Sequence, residues 1–285
     1  MNITDISPWN LAAGYILFTI PLGIILWLHV PMFTQTIVSI LRMTVQLLFV
    51  GFYLQVIFRL NNPWLNCAWL LVMIGVADIS IIRGCGLKMM KFVLPLFVAL
   101  IVGTSLPLLS FIGPVLKLPN LLEAQYVIPI GGMILGNCLR ADIIGINNFY
   151  VSIRKAEKSY LNSLAQGARL REALRPFTGD AFQAALMPTV ATMATIGLVA
   201  LPGMMTGVIL GGANPVTAIK YQIAIMIAIF SGTSITVFMA ILLTVKNNFN
   251  TYGLLDHSIF KKQKRRSKAP DFELPPKQGE GFAQK

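Results

Sequence analysis

Methionine and polar side chains interrupt two of the longest apolar stretches of this sequence. The first stretch holds Met133 and Asn137, and the second holds Thr189, Thr192, Met193, Met204 and Met205. Thioether sulfur is a soft ligand that favours copper(I) and other soft metals. Methionine also fills irregular gaps in apolar cores, and hydroxyl groups can bond back to their own helix. For the methionines the pattern favours ordinary core packing, whereas Asn137 favours a pore-lining helix. All of these residues are candidates for a path for metal ions.

A cation and an amide lie inside a third apolar stretch. Arg42 and Gln46 are separated by one helical turn. A charge within a membrane is costly and is expected to face a cavity or a partner. Alternatively, the Arg42 side chain can extend to the interface, because it lies only about a turn and a half from the start of its stretch. Both residues are candidates for the same path.

Glycines recur at helical spacing beside these polar positions. They are Gly132 and Gly136 in one stretch, and Gly203, Gly207 and Gly211 in the other. Small residues four positions apart let helix backbones approach closely. Pro129 and Pro202 indicate a kink or a break, which membranes tolerate where neighbours or a cavity satisfy the freed backbone groups. We therefore expect these glycines to pack helices.

Catalytic side-chain arrangements do not emerge from the sequence. The acids within the apolar stretches are Asp78 and Asp142, and there is no phosphate-binding G-x-x-x-x-G-K-[ST] loop. Cys67, Cys85 and Cys138 are isolated from one another and are interpreted as small core residues. The sequence favours a protein that is not an enzyme, with no cofactor of its own and no identifiable resident metal.

The apolar stretches themselves are long enough to cross a bilayer, which takes about 20 residues. With 55% hydrophobic and 12% charged residues, the composition is not that of a soluble domain. We predict an all-α polytopic membrane protein with about seven spans. The spans are expected at residues 11–30, 37–58, 64–82, 92–116, 126–146, 182–210 and 218–245.

Lysine and arginine are concentrated in alternate loops, which predicts the orientation. The side of the membrane whose loops are rich in lysine and arginine is expected to be cytoplasmic. The N-terminus is therefore expected outside and the C-terminus inside. We expect one membrane domain at residues 1–245 and a basic, disordered cytoplasmic tail at residues 246–285. The net charge of +12 follows mostly from this topology, and we interpret the tail as an anchor to anionic lipid and not as a nucleic-acid binder.

One large hydrophilic loop, at about residues 147–181, is predicted on the cytoplasmic side. Within it, residues 159–175 have the spacing of an amphipathic helix that ends at Pro176. Its apolar side is formed by Leu161, Leu164, Ala165 and Ala168. Such a helix can lie in the headgroup plane or insert into a groove on a partner protein. The sequence leaves both alternatives open.

Several motifs resemble the FetB-type family of ABC transporter permeases, which is related to plant aluminium-tolerance membrane proteins. The resemblance covers about residues 42–245. The motifs are LRMTVQLLFVGF (41–52), VIPIGGMILGN (127–137), Asn147–Asn148, LAQGA (164–168), MPTV (187–190), LPGMMTG (201–207) and NPVTAIKYQI (214–223). LAQGA also resembles part of the coupling motif of ABC importers, in which Gly167 would be the glycine, although the acid of that motif is absent here.

The resemblance implies a permease of the bacterial inner membrane that transports metal ions, of which iron is the expected one. It also implies that a separate ATPase, which binds ATP, powers the transport. The expected partners are this ATPase, docked at residues 159–175, a second copy of the chain and the lipid bilayer. Two alternatives remain open. An ion-gradient-driven transporter would require paired intramembrane acids or inverted repeats, and a non-transporting scaffold would not need broken, glycine-rich spans.

Overall fold

A computed structural model describes residues 7–250, 252–256 and 259 of the chain. Helices make up nearly all of this part. They are α1 (Pro8–Gly14), α2 (Thr19–Trp27), α3 (Phe33–Leu60), α4 (Pro63–Gly84), α5 (Met89–Ser110), α6 (Ala124–Lys155), α7 (Glu157–Ala165), α8 (Leu170–Thr195), α9 (Gly203–Leu210) and α10 (Pro215–Asn248). The predicted all-α fold is confirmed.

Six segments of the described chain are long and apolar enough to cross a membrane. They are Pro8–Trp27, Phe33–Leu60, Pro63–Gly84, Lys91–Val115, Ala124–Lys155 and Pro215–Asn248. The first is α1 and α2 joined by a 3₁₀ turn, and the fourth continues α5 through a π-helical turn. Each coincides with a predicted span and most extend it, because polar residues at the helix ends continue the helix beyond its apolar centre.

The remaining predicted span, residues 182–210, is not a continuous helix. It is divided between α8 and α9, with an irregular segment at residues 196–202. Gly197 has φ +87°, in the left-handed region, and Pro202 has no N–H with which to continue the helix. α8 also begins earlier than predicted, within the hydrophilic loop, so its first turns carry charges. A count of seven spans thus stays a prediction.

The closest helix contact in the bundle is between α5 and α10. A Cβ on Gly232 of α10 would lie 2.8 Å from the carbonyl oxygen of Gly103 on α5 and 2.8 Å from Cγ2 of Ile134 on α6. α6 also packs against α4 and α8, and its residue Gly145 contacts Ala185 of α8. α4, α5, α6, α8 and α10 therefore form one core around α6.

The first three helices lie outside this core. None of the described residues of α1 and α2 is buried, and Ile57 is the buried residue of α3. Ile57 packs with Ala124 and Ile128 of α6 in a small separate cluster. Their largely apolar surfaces are suited to lipid or to another helix.

Charge divides the bundle into two ends. At one, here called the basic end, the α4–α5 turn, α7, the start of α8 and the end of α10 come together. Its cations include Arg83, Lys88, Lys91, Arg154, Lys155, Lys158, Arg171, Arg175 and Lys246. The opposite end carries Arg59, Lys117 and Lys220. The asymmetry that predicts a cytoplasmic basic end is thus present in the folded bundle, while the orientation itself stays a prediction.

The segment after α10 packs against the basic end where the structure describes it. Ile259 is fully buried, and its carbonyl accepts a hydrogen bond of 2.9 Å from the Lys88 N–H. Asp256 forms an ion pair with Lys91 of α5. The predicted tail boundary at residue 246 falls within α10, and the basic run at residues 261–268 lies outside the described residues.

Replacing Gly232 with alanine should weaken the bundle, because the new methyl group would overlap the Gly103 carbonyl and Ile134. We expect a loss of about 1–3 kcal/mol in stability, seen as a lower Tm in detergent. Gly75→Ala on α4 is the matched control, since nothing lies within 4 Å of its added Cβ. Equal melting temperatures for the two variants would contradict the close α5–α10 contact.

Candidate functional site

Two of the predicted path residues, Met204 and Met205, line a cavity at the end of the bundle opposite the basic end. The cavity has a volume of about 310 Å³ and lies between α9 and the first turns of α6 and α10. Tyr126, Tyr221 and Gln222 also line it. It therefore joins two thioethers with phenol and amide oxygens, a mixed set of weak ligands for a cation.

The other path candidates on α6 and α8 do not line this cavity. The Asn137 amide nitrogen donates to the Met133 carbonyl at 2.8 Å, and the Thr192 hydroxyl donates to the Pro188 carbonyl at 2.9 Å. These bonds lie within their own helices, as the packing alternative expects. Met133 and Thr189 are half-buried, and Met193 is exposed.

Arg42 and Gln46 lie on the exposed surface of α3, away from the cavity. Neighbouring apolar side chains of this helix are also exposed, among them Phe49 at 62% and Phe52 at 72%. An arginine on such a surface faces lipid or a partner in the membrane, unless its side chain extends to the interface.

The glycines predicted to pack helices differ in their surroundings. A Cβ on Gly132 would lie 3.2 Å from Cε of Met73 on α4, whereas nothing lies within 4 Å of a Cβ on Gly136, Gly203 or Gly207. Gly211 is exposed at the end of α9. The tightest crossing, at Gly103 and Gly232, has no G-x-x-x-G spacing, which is why the sequence did not indicate it.

The predicted helix at residues 159–175 is wrong as a single element. α7 ends at Ala165, a turn follows, and α8 begins at Leu170 and continues through Pro176. Gly167 has φ +90°, which breaks the helix. The Glu172 carboxylate then accepts a 2.8 Å bond from the Arg169 N–H and caps the new helix.

The apolar side of α7 faces the bundle and not the solvent. A Cβ on Gly253 would lie 3.1 Å from Cδ1 of Leu164, and Leu161 and Ala168 also pack against the main core. Ala165 and Gly167 are exposed at the turn. The predicted coupling residues therefore divide into an inner group that holds the loop in place and an outer group that is free for contact.

Tyr160 fixes α7 to the segment after α10. Its hydroxyl donates to the Gly253 carbonyl at 2.5 Å, and its ring contacts Phe177 and Phe249 edge to face. Burial raises the pKa of Tyr160 to about 12, so the phenol remains a donor throughout the physiological range.

Two acids from different helices are both buried inside the bundle. Asp78 of α4 and Asp142 of α6 are both buried, at 1% and 0% exposure, and their carboxyl groups interact electrostatically. Their helical positions could be read from the sequence, but their proximity depends on how α4 packs against α6. Within the described residues, no group of three or more His, Cys, Asp or Glu side chains is arranged to hold a metal ion.

The apolar helices and the family relationships define the class of this protein, which is an integral inner-membrane protein with a polytopic helical fold. A family model described as "Uncharacterised protein family (UPF0014)" matches residues 8–249. The chain therefore belongs to this family.

Curated relatives extend over most of the chain. It is 32% identical to the UPF0014 membrane protein YjkA of Bacillus subtilis, over 77% of this chain and 86% of that protein. It is 30% identical to the probable iron export permease protein FetB of Escherichia coli, over 88% and 95%. Protein ALUMINUM SENSITIVE 3 of Arabidopsis thaliana is 33% identical, over 67% and 69%. No solved structure shows significant similarity.

These relatives confirm the resemblance that the motifs indicated. The chain is a member of a permease-like membrane protein family, and one relative is named as an iron export permease. The names of the two bacterial relatives describe a membrane protein and a permease, and none of the three reported names describes an enzyme.

Tyr160→Phe should lower stability by about 1–3 kcal/mol, because it leaves the buried Gly253 carbonyl without its donor. The phenol pKa is higher in the folded chain than its usual 10.0, so the loss should be constant below pH 10 and should disappear as the pH rises towards 12. Thermal melts of both proteins across this range provide the measurement. Tyr252→Phe is the control, since Tyr252 is exposed. A Tyr160→Phe loss no larger than the control's at neutral pH would refute this contact.

Proposed function

We propose that this chain is the membrane-spanning permease subunit of an ABC transporter that exports metal ions, with iron as the first substrate. A separate ATPase subunit binds and hydrolyses ATP, because the sequence has no phosphate-binding loop of the common type. The observation that carries the proposal is the 30% identity to a probable iron export permease over 95% of that protein.

The ATPase docks on the outer face of the α7–α8 turn in this proposal. Ala165, Gln166 and Gly167 are exposed there, while Leu164 and Tyr160 hold the turn against the bundle. A rigidly held turn can transmit a displacement of the ATPase to α8. Because Leu164 packs against the core, the apolar side of α7 is not available to the ATPase. The proposed contact is therefore made by the exposed tip of the α7–α8 turn.

The functional unit is a homodimer in this proposal, with α3 near the shared axis. α3 contributes one buried residue, Ile57, to its own chain and exposes Arg42 and Gln46 along an apolar surface. A second copy would remove both polar groups from lipid and let them bond across the interface. It would also provide a second set of helices to enclose a path.

Metal ions pass the cavity lined by Met204 and Met205 in this proposal. Weak ligands are suited to transport, since an ion must leave a site as readily as it enters. The break between α8 and α9 gives α9 a separate connection to the bundle, so α9 can move without unwinding α8.

An ion-gradient-driven transporter is the second candidate function, and one observation favours it. Asp78 and Asp142 are the paired intramembrane acids that such a transporter requires. A non-transporting scaffold is the third alternative, and nothing in the bundle favours it over the other two.

Ala165→Trp should prevent co-purification of the ATPase, because a bulky ring at the turn would hold the two proteins apart. Membrane insertion and Tm should be unchanged, since Ala165 is exposed. Lys220→Trp, exposed at the opposite end, is the matched control. Normal ATPase binding and stimulated ATP hydrolysis with Ala165→Trp would place the contact elsewhere.

Met204→Leu combined with Met205→Leu should lower iron transport several-fold in vesicles that contain both subunits, while preserving core volume. Met239→Leu is the control, because Met239 packs in the main core away from the cavity. Unchanged transport would leave the methionines as packing residues. Transport that proceeds without the ATPase and follows an imposed proton gradient would establish the second candidate.

A further inference from the structure

Asp142 is a buried acid that lies close to the Thr236 hydroxyl but accepts no hydrogen bond of normal geometry from it. Neither of its carboxyl oxygens has a partner among the described residues, and the same holds for Oδ1 of Asp78. Buried polar atoms in proteins are almost always hydrogen-bonded, so three unsatisfied carboxyl oxygens on two interacting acids require an explanation.

Within the described residues, no cation interacts with Asp142. The groups that interact with Asp142 are Asp78 of α4, the Cys85 thiol beyond its end and the Cys138 thiol of α6 itself. α10 presents the Thr236 hydroxyl, which donates to the Thr233 carbonyl at 3.1 Å. α5 and α8 present no charged group to Asp142 within the described residues. Every titratable group that interacts with Asp142 in the described part of the chain is therefore an acid or a thiol.

An unpaired carboxylate in this position is strongly disfavoured. Transfer of an isolated charge into an apolar interior costs so much that such a group usually becomes neutral. The electrostatic interaction with a second carboxylate adds repulsion, which raises the cost of ionising both acids. Protonation also converts an oxygen that can only accept into a donor, for which the Thr236 hydroxyl oxygen is the nearby acceptor.

We propose that Asp78 and Asp142 form a proton-binding carboxyl pair in the centre of the bundle, which holds at least one proton when the helices are packed as described. The proton site is independent of which energy source drives transport. In an ATP-driven permease the pair would couple opening of the bundle to proton release, and in a gradient-driven permease it would carry the proton.

A proton fits this pair better than a metal ion. A site for a divalent ion uses several ligands, and the described residues contain no group of three His, Cys, Asp or Glu side chains arranged around one point. Separation of α4 from α6 would admit water and favour ionisation, so the two packing arrangements would differ in the number of bound protons.

Labelling with dicyclohexylcarbodiimide tests the proposal directly, because this apolar reagent modifies protonated carboxyl groups inside membranes. The full chain in phospholipid vesicles is labelled over a range of pH, and modified residues are identified by mass spectrometry. We expect modification of Asp142 or Asp78 at neutral pH and its loss at higher pH. Asp180, which is exposed on α8, should react with a water-soluble carbodiimide instead.

The Asp78→Asn variant separates a coupled pair from two independent buried acids. Removal of the neighbouring charge should shift the pH of half-maximal Asp142 labelling downwards by about 1 unit or more. Asp180→Asn, the matched control, should cause no shift.

Three results would overturn the assignment: no labelling of either acid at neutral pH, an unchanged midpoint in Asp78→Asn, or protection of both acids by Fe²⁺ at constant pH. The last would identify a metal site. None of these measurements involves transport or the ATPase. Their outcome therefore stays informative even if the chain proves not to be an ABC permease.

Discussion

The contact between α5 and α10 is the constraint on which the rest of the bundle depends. It requires glycine at position 232, because any Cβ there would meet the carbonyl oxygen of Gly103 at 2.8 Å. The same close approach brings α10 against α6, where Cys138 lies beside Gly232 and Thr236 lies beside Asp142. The environment of the buried acids therefore follows from a backbone contact one turn away.

The positions of the helices were predictable because apolar length is a local property. Six predicted spans correspond to helices, from Pro8–Trp27 to Pro215–Asn248. Which side of each helix faces the core was not predictable. Lipid is as apolar as a protein core, so the lipid-facing and core-facing sides of a helix have similar composition. α3 illustrates this, because it carries apolar residues on every side and yet buries only Ile57.

The site was predicted less completely than the fold. Met204 and Met205 do share a cavity, which Tyr126 and Gln222 also line. These two residues belong to α6 and α10, and no local sequence pattern indicates that these helices pack beside α9. Amphipathic spacing suggested one helix at residues 159–175, because leucines on both sides of the turn face the same core. Gly167, read as a motif residue, in fact ends α7 through its left-handed conformation.

The segment beyond α10 also determines where the chain can be shortened or fused. Asp256 and Ile259 bond to the start of α5 and the turn before it, and Gly253 bonds to α7, so these few residues connect three parts of the basic end that are distant in sequence. Deletion from residue 246 onwards would expose the Tyr160 hydroxyl and the apolar surfaces beneath Leu255 and Ile259. Affinity tags and reporter domains therefore belong after residue 259, because the contacts of Gly253, Asp256 and Ile259 with the basic end are then retained.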